Sequence, residues 1–246
     1  MIKKILLAIL VVAFFVASQA FAFNPLVACP GSPPAAPACT TTGPDIFVEL
    51  AQAAYGGSWA MAGNDNWSVV TADRGSCSTK HWSISAMTAG DNLTHDFADS
   101  VTAYVDFWFK FTGGPDTDTE SLRAFALQTD AASSCIYIEI VNNSGTLQVR
   151  PYYYDNGAAY GTFQTVVAGT WYHIGLFYDS TANTFAWYFS ETDALGAAKD
   201  SASEMSTLRV PGIFVAGGIA KSGTFTGTLQ VDSIGIDNDT MTAVEY

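Results

Sequence analysis

Positive charge is scarce in this chain: ten Lys and Arg stand against 23 Asp and Glu in 246 residues, a formal net charge of −13. Two of those cations, Lys3 and Lys4, lie in a segment expected to be removed, which leaves 8 − 23 = −15. Eight dispersed cations do not neutralise a run of phosphates, so nucleic acid is excluded as a partner, and anionic membrane surfaces with it. Charge of either sign is sparse at 13%, yet 49% of residues are hydrophobic, a composition that builds a core and rules out intrinsic disorder. Long apolar runs are also lacking. The longest, Ile5–Ala17, falls short of the ~20 residues a membrane-spanning helix needs, so no transmembrane segment is expected in the mature chain. There is no Cys-x-x-C, no Cys/His zinc spacing, no Gly-x-Ser-x-Gly elbow and no His-Glu-x-x-His, and His81, His95 and His173 stand apart from one another.

What is present begins with an export signal. Lys3 and Lys4, the apolar run and the small-x-small site Ala20-Phe21-Ala22 form a secretory signal peptide over residues 1–22, with cleavage after Ala22. A rival reading takes Leu26-Val27-Ala28-Cys29 as a lipobox that anchors the chain through Cys29; Ser18, Gln19, Asn24 and Pro25 separate it from the apolar run and weigh against it. Either way a secreted, extracellular, cell-surface or periplasmic location is expected. Six of nine prolines fall between Pro25 and Pro44, so residues 23–44 read as a stiff leader ahead of one domain, 45–246. The four cysteines, Cys29, Cys39, Cys77 and Cys135, all lie in the expected mature chain, and an even count in an exported protein predicts two disulfides. Of three connectivities we expect Cys29–Cys39, which clips the Pro-rich segment, and Cys77–Cys135.

From Asp45 onward the periodicity is two. Tyr104–Phe111 alternates Val105, Phe107, Phe109 and Phe111 against Tyr104, Asp106, Trp108 and Lys110; Cys135–Val141 and Thr146–Tyr154 alternate likewise. Further strands are expected at 47–50, 67–72, 80–87, 122–128, 161–167, 171–178, 184–189, 208–216 and 226–237, with a short helical turn in 195–207. Asn143-Ser144-Gly145, Gly113-Gly114-Pro115 and Asp179–Asn183 supply turn chemistry between them. About a dozen strands without an amphipathic helix predict an all-β fold, a two-sheet antiparallel β-sandwich.

The run from Tyr104 to Phe189, with Gly169-Thr170-Trp171-Tyr172-His173-Ile174 at its centre, and the closing Leu229–Asp237 resemble the laminin-G-like, concanavalin A-like family of lectin and glucanase jelly rolls. The resemblance implies a jelly roll that binds carbohydrate or protein, in some members with a structural Ca2+ and in some with glycosidase or lyase activity. The residues for such catalysis are not found as motifs. Glu191-Thr192-Asp193 lacks a third acid, Glu139 stands alone on its strand, and the lyase strands Arg-x-Glu-Leu and Gln-Ile-His are absent, so no catalytic residue is assigned. Asp116, Asp118 and Glu120, at alternate positions after a Gly-Gly-Pro turn, are candidate Ca2+ ligands; Glu49 with Asp232, and His95-Asp96 with Asp91 and Asp99, are weaker sets. No other cofactor is indicated.

Six Trp, 11 Tyr and 16 Phe exceed what one core requires. Opposite the apolar register lie Gln148, Arg150, Tyr152 and Tyr154 of one strand and Trp108 of another, with Tyr137 and Glu139 interleaved. Flat rings beside amide, guanidinium and carboxylate groups suit sugars. These five are the expected ligand-binding residues, and Pro151 favours an edge position or a bulge for Thr146–Tyr154, the strand that carries four of them. The expected function is a non-catalytic carbohydrate-binding or adhesive module whose partner is a glycan or cell-surface polysaccharide, possibilities beside it being other extracellular proteins, a structural envelope role, or a divergent polysaccharide-degrading enzyme.

Overall fold

The structure, a computed structural model, describes residues 47–49, 59–63, 67–71, 80–131, 134–154, 158–192, 194–202 and 209–237. The expected signal peptide and leader, with Cys29 and Cys39, and Cys77 lie outside them. Among the described residues there is no helix and there are sixteen strands. The first eight are β1 (Phe47–Glu49), β2 (Trp59–Ala62), β3 (Trp67–Thr71), β4 (Lys80–Ser85), β5 (Asn92–Asp96), β6 (Thr102–Phe111), β7 (Ser121–Gln128) and β8 (Ser134–Asn143). The second eight are β9 (Thr146–Tyr154), β10 (Ala158–Tyr160), β11 (Gln164–Thr165), β12 (Tyr172–Asp179), β13 (Thr184–Ser190), β14 (Asp200–Ala202), β15 (Ile213–Ser222) and β16 (Thr228–Asp237).

They form two eight-stranded antiparallel sheets, the β-sandwich the periodicity predicts. Sheet A runs β14-β13-β12-β6-β16-β4-β3, with β1 paired to the far half of β16; sheet B runs β10-β9-β8-β7-β15-β5-β2, with β11 also on β9. The first and last strands pair, Phe47–Glu49 lying opposite Ile236–Ile234. Alternation drives the stacking. Phe107, Phe109 and Phe111 of sheet A are fully buried against sheet B, with ring centroids 4.3 Å apart for Phe107–Phe125 and 5.4 Å for Phe107–Phe214. Toward the two ends, Tyr153–Phe185 at 4.3 Å and Trp59–Trp82 at 4.9 Å make the same bridge between sheets. Each buried aromatic contributes about 2–3 kcal/mol, so this seam is the main source of stability.

Local chemistry fixes the register. Ser144 and Gly145, both at positive φ (54° and 82°), form the two-residue turn that opposes Asn143 to Thr146 and closes the β8–β9 hairpin. The β12–β13 turn is held by Asp179 Oδ1, which accepts from the Thr181 and Ala182 amides at 2.8 Å. In β7 the ladder slips between Arg123 and Phe125, so Ala124 is the extra residue of a bulge. The slip returns Phe125 and Leu127 to the core while Arg123 stays outside. A similar shift at Asp232–Gly235, where Ser233 has φ 59°, keeps Val231, Ile234 and Ile236 all buried.

The structure corrects one expectation. The described part of the segment expected to hold a helical turn instead supplies β14, whose Asp200–Ala202 backbone extends sheet A by pairing with Trp187–Phe185. Among the described residues Cys135 is a free buried thiol whose Sγ lies 3.8 Å from the Arg209 carbonyl oxygen; the expected bridge involves Cys77, which lies outside them. Burial pushes this thiol up to about 12. No helix among the described residues is long and apolar enough to cross a membrane.

Candidate functional site

The outer surface of sheet B carries the residues the sequence singles out. Antiparallel register sets cross-strand neighbours directly opposite one another, so the outward residues of β7, β8, β9 and β10 fall into rows. One row is Ala126, Tyr137, Tyr152 and Tyr160. The next, two residues along β8 and β9 and three along the bulged β7, is Ala220, Arg123, Glu139 and Arg150. A third holds Ser121, Val141, Gln148 and Thr165. A tyrosine row therefore lies beside a charged row.

The two rows lock together. Glu139 Oε2 accepts from both Nε and Nη2 of Arg150, at 3.0 and 2.9 Å. The side chains are 19% exposed for Arg150 and 6% for Glu139, so the pair is shielded from water. The Arg150 guanidinium stacks over Tyr160, 3.7 Å from its centroid, and over Phe163 at 4.6 Å. Arg123 lies over Tyr152 at 4.4 Å and Tyr137 at 4.9 Å. Planar cations fixed on ring faces keep their N–H edges available as donors. Beside the charged row a groove of about 240 Å³ opens, lined by Ser121, Arg123, Glu139, Ala220, Lys221 and Ser222.

Gln148, Arg150 and Tyr152 share this face, and Tyr154 ends the same strand. Tyr152 is only 5% exposed, its ring enclosed by Tyr137, Tyr160 and Arg123, so it supports the face and does not offer a platform. The exposed ring is Tyr160, at 48%. Trp108 does not belong here. It lies on sheet A, 4% exposed, stacked on His173 at 4.8 Å, where His173 Nε2 meets Asp106 Oδ2 at 3.1 Å. Period-two parity separates core from surface but does not assign a strand to a sheet, so parity alone sets Trp108 beside Tyr137 and Tyr152. Arg123, Lys221, Tyr160 and Phe163 were missed. Arg123 sits in a bulge that breaks the alternation of Leu122–Gln128, and Tyr160 ends a strand of three residues.

The candidate Ca2+ ligands do not converge. Asp116 Oδ1 accepts from Thr226 Oγ1 at 2.9 Å, and Asp118 Oδ1 from the Thr119 and Ser144 amides. Glu120 Oε2 accepts from the Thr117 amide at 3.1 Å and the Thr224 amide at 3.3 Å, and hydrogen bonding to Thr117 holds this carboxyl below its ordinary value. Each carboxylate pins a loop. Among the described residues no group of three or more His, Cys, Asp or Glu is arranged to hold a metal ion. Asp91 is likewise turned to its own loop, accepting from the Thr88 amide and hydroxyl at 2.7 Å.

Fold and surface together define the class: a two-sheet, all-antiparallel sandwich whose second sheet presents an aromatic and a charged row. No family model and no curated protein matches the sequence. Solved structures similar in fold include a botulinum neurotoxin type C structure described by dependence of cell entry on two ganglioside molecules (TM-score 0.53, 7% identity, 80% of this chain and 49% of that one). The receptor-binding domain of botulinum neurotoxin D is similar too, at TM-score 0.50 and 12% identity over 80% of this chain and 45% of that one. So is the binding domain of botulinum neurotoxin DC in complex with SialylT, at TM-score 0.50 and 7% identity over 75% and 43%. The chain thus spans less than half the length of these structures, and the likeness is one of fold.

Proposed function

We propose that this protein is an exported, non-catalytic glycan-binding module of the laminin-G-like, concanavalin A-like type, and that the outer face of sheet B binds the sugar. The observation that carries the reading is the juxtaposition of the Tyr137–Tyr152–Tyr160 row with the Arg123–Glu139–Arg150 row beside a groove. An exposed ring stacks on sugar C–H faces, and fixed guanidinium edges with serine hydroxyls read the sugar's oxygens. The face is already ordered by its own cation–ring contacts, so little side-chain freedom is lost on binding. Among the fold neighbours, the type C toxin interacts with gangliosides and the DC domain was solved with SialylT, which supports a glycan as partner. The absence of catalysis rests on the groove's chemistry. Glycoside hydrolysis needs a pair of carboxyl groups, whereas the groove's lining holds one carboxylate, Glu139, and Arg150 occupies it. Export rests on the signal peptide.

A glycan array probed with the mature protein tests this. Tyr160→Ala should weaken every hit about five- to tenfold, whereas Tyr188→Ala, on the outer face of sheet A, should leave binding unchanged. An array without hits, or hits indifferent to Tyr160, would refute the assignment and favour a structural envelope role.

A further inference from the structure

Only eight cationic side chains remain outside the signal peptide, and three of them, Arg123, Arg150 and Lys221, gather on the outer face of sheet B in a protein of net charge −13. One carboxylate, Glu139, shares that face, and Arg150 holds it at 2.9 Å. Among the described residues the two cations that line the groove have no acid of their own, since the one carboxylate in the lining, Glu139, gives Oε2 to Arg150. The Arg123 guanidinium rests on the Tyr137 and Tyr152 rings, contacts that engage its face and none of its N–H donors. Lys221 Nζ donates to the Met87 carbonyl oxygen at 3.3 Å, which leaves two further N–H groups, and it makes no ion pair among the described residues. Both side chains are half-buried, so their fields are less screened than those of surface lysines. Ser121 and Ser222 stand at the same groove, the Ser222 hydroxyl oxygen accepting from the Ser121 amide at 2.9 Å.

The geometry points to an anionic sugar as the ligand of this groove, its carboxylate or sulfate held between Arg123 and Lys221 and its hydroxyls by the two serines. The inference rests on the glycan-binding reading of the same face and narrows it. A neutral sugar would leave Arg123 and Lys221 uncompensated in a partly dry cleft. An acidic one completes the charge balance that Glu139, committed to Arg150, does not supply. The rest of the protein repels polyanions, so any affinity for one must be local to this groove and must fall as salt rises.

Matched polymer pairs test the inference with the full exported chain: polygalacturonate against its methyl ester, dextran sulfate against dextran, and polyglutamate as a charged chain without sugar. The charged member of at least one pair should bind about tenfold or more tighter than its neutral twin, and which pair responds identifies carboxylate or sulfate. Arg123→Gln and Lys221→Gln should each weaken that binding about tenfold, while Lys199→Gln, the same charge change at an exposed site, should not. Lys221→Gln removes only the hydrogen bond to the Met87 carbonyl and keeps the test meaningful if Arg123→Gln fails to fold. Equal binding of both members of each pair, with silent variants, would overturn the anionic preference and leave the glycan reading standing. Polyglutamate binding as tight as the sugars would overturn the sugar assignment of the groove. No binding to any polysaccharide in the panel or on the array would overturn both readings.

Discussion

Removing the Glu139 carboxylate tests whether the charged row organises the sheet B face. In Glu139→Leu the side chain's volume is kept, but Arg150 loses both hydrogen bonds to Oε2 and the row is left with Arg123 and Arg150 and no acid. An exposed ion pair is worth about 0–1 kcal/mol, and breaking a fully buried one costs about 3–5 kcal/mol. With the Arg150 and Glu139 side chains 19% and 6% exposed, this pair lies between those limits. Two charge-assisted bonds to one oxygen, offset by the ring contacts that Arg150 keeps with Tyr160 and Phe163, give a loss of about 2 kcal/mol. For a domain of this size that lowers Tm by about 4–8 °C. Thermal and urea unfolding of Glu139→Leu, Arg150→Met and the double variant yield the coupling energy directly. A coupling of about 1–2 kcal/mol is expected; one below about 0.5 kcal/mol would show an ordinary surface pair and refute the claim that the face is pre-ordered.

Phe107→Ala should cost about 3–5 kcal/mol, because its ring is fully buried between Phe125 and Phe214, and a chemical denaturation midpoint reports it. Gly145→Ala should cost about 1 kcal/mol from backbone conformation alone, since φ is +82° and nothing lies within 4 Å of the added methyl, and equilibrium unfolding measures it. Cys135 should resist alkylation at pH 8 in the native protein and react on unfolding, as followed by mass spectrometry. Stability should fall as pH rises above about 9: the thiol of the unfolded chain releases its proton there, while burial holds Cys135 near 12 in the fold, and Tyr178, raised to about 12 by burial, acts in the same direction at higher pH. Cys135→Ala should flatten that decline in pH-dependent melting; a decline unchanged in both Cys135→Ala and Tyr178→Phe would contradict the assignment.

Much of the sandwich was legible because aromatic and β-branched residues alternate cleanly in β6, β8, β9, β12 and β13, where propensity and burial agree. The strands missed are the ones whose composition argues against them. β5 reads Asn92-Leu93-Thr94-His95-Asp96, yet Leu93 and His95 are buried and the polar residues alternate outward; β2, β10 and β14 are too short for a period to register. The expected strand 208–216 is found later, at 213–222, because it joins β5 and β7 through a bulge between Ala216 and Ala220. The site was half legible. Alternation along β9 identified Gln148, Arg150 and Tyr152 as one face, but which strands of other sheets share that face is set by topology, and so Trp108 was placed with them and Arg123 was not. The disposition of Tyr152 under Arg123 depends on three strands meeting, and no local pattern carries it.

The central claim is that the outer face of sheet B is the glycan-binding surface, and amide chemical-shift mapping of the mature protein titrated with its tightest array ligand tests it most directly. Shifts should concentrate at Ser121–Arg123, Tyr137–Glu139, Arg150–Tyr152, Tyr160 and Lys221–Ser222, and should leave Trp108, Asp106 and His173 on sheet A unmoved. Shifts centred on those sheet A residues, with β7–β10 silent, would contradict the account.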